Sequence, residues 1–188
     1  MKRFALAVGL ALSLAASTGC GRGQDGVDTA SRSLRPGQVV DGVPCLGGDL
    51  PMTHTHVHLG IWLDGVPVAV PAGIGVGRPW GVEAGGFVAT GGCWSWIHTH
   101  DSSGVVHLMG GEGTTFTLGQ LFAVWGRPLG PSSALGYQGA LAAYVNGERY
   151  RGDPRQVPLD NLANIALELG TPPKPQPPAA YDFAALTS

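Results

Sequence analysis

Apolar residues in this chain come in short runs, broken every few positions by Gly or Pro, and most runs are strand-like. Leu59 to Leu63 and Val66 to Val70 flank Asp64-Gly65, a pair suited to a type I′ turn, and so predict a hairpin. Tyr144-Val145, Asn146-Gly147 and Glu148 to Tyr150 predict a second. Ile165, Leu167 and Leu169 alternate, which predicts a final half-buried strand. One stretch follows a helical period instead. Thr117 and Gln120 make a Thr-x-x-Gln capping box, with Phe116 and Leu121 placed as its hydrophobic staple. Leu118, Leu121, Phe122 and Trp125 then share a face, and Gly126 with Pro128 stops the helix. The expected fold is mainly β (α+β): antiparallel hairpins forming a compact sheet or sandwich with one short helix.

The two ends carry a different pattern. Lys2 and Arg3 precede the apolar run Phe4 to Ala16, and Ser17-Thr18-Gly19-Cys20 follows. A basic start, a short apolar stretch and small residues before a cut make a secretory signal. Its Gly-Cys ending resembles the bacterial lipobox, which implies lipidation of Cys20 and a membrane anchor there. Gly21 after the cysteine implies, by resemblance to enterobacterial lipoproteins, sorting to the outer membrane. Gly21 to Gln38 is almost free of apolar residues and reads as a flexible tether, and the proline-rich stretch from Thr171 to Pro178 reads as an extended, disordered tail. The expected organisation is therefore a signal peptide over 1–19, a tether over 20–38, one β-rich domain over 39–170 and a tail over 171–188.

Composition narrows the function. The chain has 188 residues, 44% hydrophobic and 13% charged, and a net charge of -2, which excludes a nucleic-acid binder working by bulk charge. Glycine runs such as Gly73-Ile74-Gly75-Val76-Gly77 lack the strand and helix of a dinucleotide site, and there is no phosphate loop, so no nucleotide cofactor is expected. Ser102, His100 and Asp101 are too close in sequence to form a catalytic triad.

Histidine is where the chemistry concentrates. All six lie in two clusters, His54-Thr55-His56-Val57-His58 and His98-Thr99-His100 with His107. Spacing by two on a strand puts His54, His56 and His58 on one face, about 7 Å apart, and His98 and His100 on another. Imidazole is the commonest protein metal ligand, and His-x-His on a strand aims two nitrogens at one ion. The other reading is a hydrogen-bonded histidine network without metal. A two-residue turn after Asp101 would bring His107 opposite His98, giving a three-histidine face like the zinc site of α-class carbonic anhydrases. A type I turn with a Gly104 bulge would set it opposite Thr99 instead. Asp101 itself suits either a carboxylate orienting an imidazole or the first position of the turn.

Met52 stands two residues before His54, and Met109 two after His107. A thioether on the same strand face is a soft ligand that copper(I) accepts, whereas ordinary core methionines are the alternative. From Asp41 to Val145 there are six acids against two bases, a formal charge of −4 around every histidine. With Cys20 lipidated, Cys45 and Cys93 form an even pair in an exported chain, which points to a disulfide clamping the two histidine segments; thiolate ligation is the rival.

His54-Thr-His-Val-His-Leu, Trp96-Ile-His-Thr-His-Asp and Phe116-Thr-Leu-Gly-Gln together resemble a group of uncharacterised exported bacterial proteins, over most of Val39 to Gly170. The resemblance implies one fold unit and a histidine site, and supplies no reaction. Three functions follow as expectations. The first is an envelope lipoprotein handling or delivering a transition metal, copper before zinc. The second is a zinc-dependent hydrolase or hydratase, and the third a structural or interaction module of the envelope.

Overall fold

Gly and Pro punctuation cuts the alternating runs into sixteen strands among the residues described by the computed structural model, which are 30–48, 53–170 and 180–186. In chain order these are β1 (Val39–Val40), β2 (Val43–Leu46), β3 (Thr53–Leu63), β4 (Val66–Val68), β5 (Val76–Gly77), β6 (Gly81–Val82), β7 (Val88–Thr90), β8 (Cys93–Ser95), β9 (Ile97–His98) and β10 (Val105–Gly110). The helix α1 (Leu118–Trp125) follows, then β11 (Leu129–Gly130), β12 (Ser133–Ala134), β13 (Tyr137–Gln138), β14 (Ala140–Val145), β15 (Glu148–Tyr150) and β16 (Asn164–Gly170). The signal-like run, Cys20, Met52 and the proline-rich stretch lie outside the described residues. No helix among the described residues is long and apolar enough to cross a membrane.

The main sheet has seven strands, ordered β15-β14-β16-β3-β10-β9, with β4 also on β3. A second sheet runs β1-β2-β8-β5. The short step from β8 to β9 joins the two, since Ser95 ends one strand and Ile97 begins the other. The mainly β fold with one short α-helix matches the pattern of the sequence. Both expected hairpins form: Asp64 and Gly65 (φ 50° and 80°) link β3 to β4, and Asn146 and Gly147 (φ 51° and 83°) link β14 to β15. The positive φ pairs are those of a type I′ turn.

α1 has its capping box complete, Thr117 accepting from the Gln120 N–H and the Gln120 side chain accepting from the Thr117 N–H. Gly126 ends it in the left-handed conformation. Val124 is buried along with the four residues of the expected face, so the helix is covered over a wider arc than its period suggests.

Three features depart from expectation. β16 is buried on both faces rather than one: Ala166 and Glu168 are as covered as Ile165, Leu167 and Leu169. It lies inside the sheet, antiparallel to β14 on one edge and parallel to β3 on the other. Alternation that includes a small residue and one carboxylate looks half-exposed in sequence, and only the pairing reveals the burial. Residues 30–38, assigned by composition to the tether, pack on the body; Leu34 is a core residue and the Arg32 N–H donates to the Trp125 carbonyl. A single buried leucine is too small a signal to stand out in a polar stretch. At the other end Tyr181 also docks, its N–H donating to the Asn164 side-chain oxygen.

The core fixes which way the histidines point. Val57, Leu59, Ile61 and Leu63 of β3 face inward with Val106 and Leu108 of β10, Ile97 of β9 and Ile165, Leu167 and Leu169 of β16. Each such side chain contributes about 1.5–3 kcal/mol on burial. Because side chains alternate, the intervening positions must take the opposite face. Those positions are His54, His56 and His58, His107 and Met109, and His98.

Candidate metal centre

Five of the six histidines lie on strands of the main sheet; His100, expected to share a strand face with His98, lies two residues past the end of β9. β3 pairs with β10 so that His56 faces His107 and His54 faces Met109, and β10 pairs with β9 so that His107 faces His98. His56, His107 and His98 thus form a row across three strands. Of the two registers open in the sequence, the pairing is the one that puts His107 opposite His98. Turn chemistry does not choose it, because the chain leaves the sheet after His98. The Thr99 N–H donates to Ile74, its carbonyl accepts from Gly73, and its hydroxyl donates to Pro71, while His100 accepts from the Val88 N–H. Those bonds hold residues 99–100 elsewhere, so the 101–104 loop closes without dictating register.

Among the described residues, two groups of three could each hold an ion. Their ligand atoms lie within 4.8 Å of one another: His98, His100 and His107 on the inner side, and His54, His56 and His107 on the outer side. His98 is 2% exposed, His100 and His107 are half-buried, and His54 is exposed.

Hydrogen bonds fix the inner pair. His98 Nδ1 lies 2.9 Å from the Ser95 carbonyl oxygen and His100 Nδ1 lies 2.6 Å from that of Val88. A carbonyl only accepts, so both Nδ1 atoms carry the proton and both Nε2 atoms present a bare lone pair. Those two Nε2 atoms are 3.3 Å apart. In the neutral state no hydrogen lies between them, so the contact is not a hydrogen bond. Two nitrogens bound to one tetrahedral ion at 2.0–2.1 Å stand about 3.3 Å from each other. Imidazoles that donate their other N–H to a backbone carbonyl are the usual arrangement of metal-ligating histidines.

On the outer side His54 Nε2 is 2.6 Å from His107 Nδ1, a hydrogen bond with one proton between them. When His107 donates it, the Nε2 of His107 is bare. The His56 ring lies 4.7 Å from that of His54 and 4.6 Å from that of His107. His58 stands apart from both groups: its Nε2 is 3.1 Å from the Ser103 carbonyl and its ring stacks on Tyr181 at 4.8 Å. Asp101 takes the turn role, accepting from the Ser103 N–H and hydroxyl. Its charge favours the protonated form of nearby His100. Met109 is half-buried on the histidine face of β10, across from His54.

Burial keeps the cluster uncharged. It pushes His98 down to about 3, helped by the neighbouring His100 and opposed by the Ser95 carbonyl. It pushes His107 down to about 2, with His98 and His100 the next largest influences. His54, His56, His58 and His100 are all lowered as well, with burial the first cause in each. At neutral pH these rings are therefore neutral, the form that binds metal.

The Cys45–Cys93 disulfide is present and buried, joining β2 to β8 four residues before β9 begins. Gly75 presses against β9 from the turn that leads into β5. It has φ 73°, and a Cβ there would overlap the Ile97 carbonyl oxygen and reach 3.2 Å from His98 Cα. Only glycine fits both constraints.

Several contributors were not evident from sequence. Phe87 stacks on His100 at 4.6 Å, and the Trp94 ring lies 5.0 Å from His98 and 4.9 Å from His100. Trp94 precedes His98 and His100 by an even spacing in the sequence, which is a usable signal. Phe87 and the Val88 carbonyl carry none, since they arrive through tertiary packing, whereas the Ser95 carbonyl is a local contact three residues before His98. No family model, curated protein or solved structure matches the chain.

Proposed function

We propose that the protein is an envelope lipoprotein that binds a transition-metal ion through His98, His100 and His107, copper first and zinc second, and handles or delivers it. The observation that carries this is the pair of Nε2 lone pairs facing each other at 3.3 Å, each fixed by a carbonyl on the far nitrogen. A network built only of hydrogen bonds would set a proton between two such atoms. The preference for copper rests on Met109, a soft thioether on the same sheet face opposite His54. The envelope location and the anchor at Cys20 rest on the signal-like N-terminus alone.

The test is titration of the full-length protein, kept in mild detergent and stripped with chelator, against Cu(I), Cu(II) and Zn(II). Tight binding is expected in the wild type, with Cu(I) preferred, and its loss in the H98A/H100A double variant. Undiminished affinity in that variant would overturn the reading. A second reading is favoured by the pairing of His98 with His107: a zinc hydrolase or hydratase whose fourth coordination position holds an activated water. It requires Zn(II) to bind more tightly than Cu(I), and ester hydrolysis or CO2 hydration that disappears with the H98A/H100A pair.

A further inference from the structure

We infer that the site is dinuclear, with the His107 ring bridging an inner ion on His98 and His100 and an outer ion on His54 and His56. This rests on the metal-binding reading above and extends it. His107 is the one residue common to both groups of donors. Its ring centre lies 4.5 Å from that of His100 on one side and 4.8 and 4.6 Å from those of His54 and His56 on the other. The pairing explains why: His107 occupies the middle strand of the row His56, His107, His98. An imidazole has two nitrogens, and a residue between two donor pairs can give one to each.

The outer group has the right inventory for this. His107 Nδ1 already faces His54 Nε2 at 2.6 Å, with a proton between them. An ion replaces that proton once the two nitrogens open to about 3.3 Å. His54 is exposed at the second residue of β3, where such a shift meets little packing. The step balances as follows. His107 Nε2 donates its lone pair to the inner ion, the Nδ1–H proton leaves to solvent, and the Nδ1 lone pair binds the outer ion, leaving the ring as an imidazolate. No electron is transferred.

Copper(II) supplies the probe. The full-length, chelator-stripped protein loaded with Cu(II) is expected to hold two ions by native mass spectrometry. Its integrated EPR signal should fall well below two spins, because an imidazolate couples two Cu(II) ions antiferromagnetically. Binding of the second ion should release one proton more than ligand neutrality requires, measured by calorimetry in buffers of different ionisation enthalpy. The H54A/H56A variant changes only exposed and half-buried positions, and an unaltered far-UV circular dichroism spectrum checks that it folds. It should hold one Cu(II) with the full intensity of one spin. Two ions with two full spins would overturn the bridge, as would a wild type that stops at one ion. If one ion is bound and H98A/H100A releases it, the bridge falls while the metal-binding reading stands. If no ion binds at all, both fall together.

Discussion

Acid should destabilise the metal-free protein well above the pH at which carboxylates titrate. His98 is 2% exposed and its pKa sits at about 3, against 6.5 in the unfolded chain. Above pH 6.5 the ring is neutral in both states and costs nothing. As pH falls below 6.5 the unfolded chain takes up a proton that the folded chain refuses, until pH approaches 3. Stability is therefore lost on acidification, at about 1.4 kcal/mol per pH unit for this one group. From pH 6.5 to 5 the loss is about 2 kcal/mol. His107 is shifted in the same direction, to about 2, and steepens the slope. A domain whose total stability is about 5–15 kcal/mol feels this strongly. The assay is guanidinium unfolding followed by tryptophan fluorescence, with chelator present, at several values between pH 7.5 and 5. The H98Q variant should show a slope shallower by about one proton, whatever its absolute stability. Metal-free protein whose stability is flat or rises between pH 7 and 5 would refute the buried neutral histidines.

Other outcomes are equally open to measurement. Replacing both Cys45 and Cys93 by Ala removes a cross-link across 48 residues and should cost roughly 4 kcal/mol by the chain-entropy estimate, read as a lower guanidinium midpoint. Gly75→Ala imposes a left-handed backbone on a residue with a Cβ and drives that atom into the Ile97 carbonyl, so it should cost about 2 kcal/mol or more and weaken metal binding in the same variant. Thr117→Ala removes the helix cap and should cost about 1 kcal/mol while leaving metal affinity unchanged. Equal effects of Gly75→Ala and Thr117→Ala on affinity would mean that the pressure of Gly75 on β9 is not what places His98.

Much of the fold was legible because local chemistry and final structure agree. Asp64-Gly65, Asn146-Gly147 and the Thr117–Gln120 box each specify a turn or a cap within a few residues, and each forms where it is written. The gathering of His54 and His56 was legible too, since alternation on β3 follows from spacing by two, whereas His100 lies past the end of β9 and reaches His98 through its bonds to Val88 rather than by strand alternation. The register that delivers His107 was not, because the deciding bonds run from Thr99 and His100 to Ile74, Gly73, Pro71 and Val88. His58 shows the limit of spacing as an argument: it shares the strand face of His54 and His56, yet the 101–104 loop and Tyr181 occupy its ring instead. Phe87 and the Val88 carbonyl that fixes His100 come from a separate segment, and no local pattern announces them; the Ser95 carbonyl that fixes His98 is local, three residues earlier.

The parallel pairing of β3 with β16 bears on when the site comes into being. His58 lies opposite Asn164, about a hundred residues later in the chain, and the His56 carbonyl accepts from the Leu162 N–H. One edge of the strand that carries His54 and His56 therefore stays unpaired until nearly the whole body has been made. Closing a loop of that length is slow compared with forming the local hairpins. The turns and the helix can form early, whereas the second half of β3, from His58 to Leu63, waits for the last strand. A chain cut short before Asn164 would retain all six imidazoles and the β3–β10–β9 pairs that align His56, His107 and His98, and would leave that frame without its parallel neighbour.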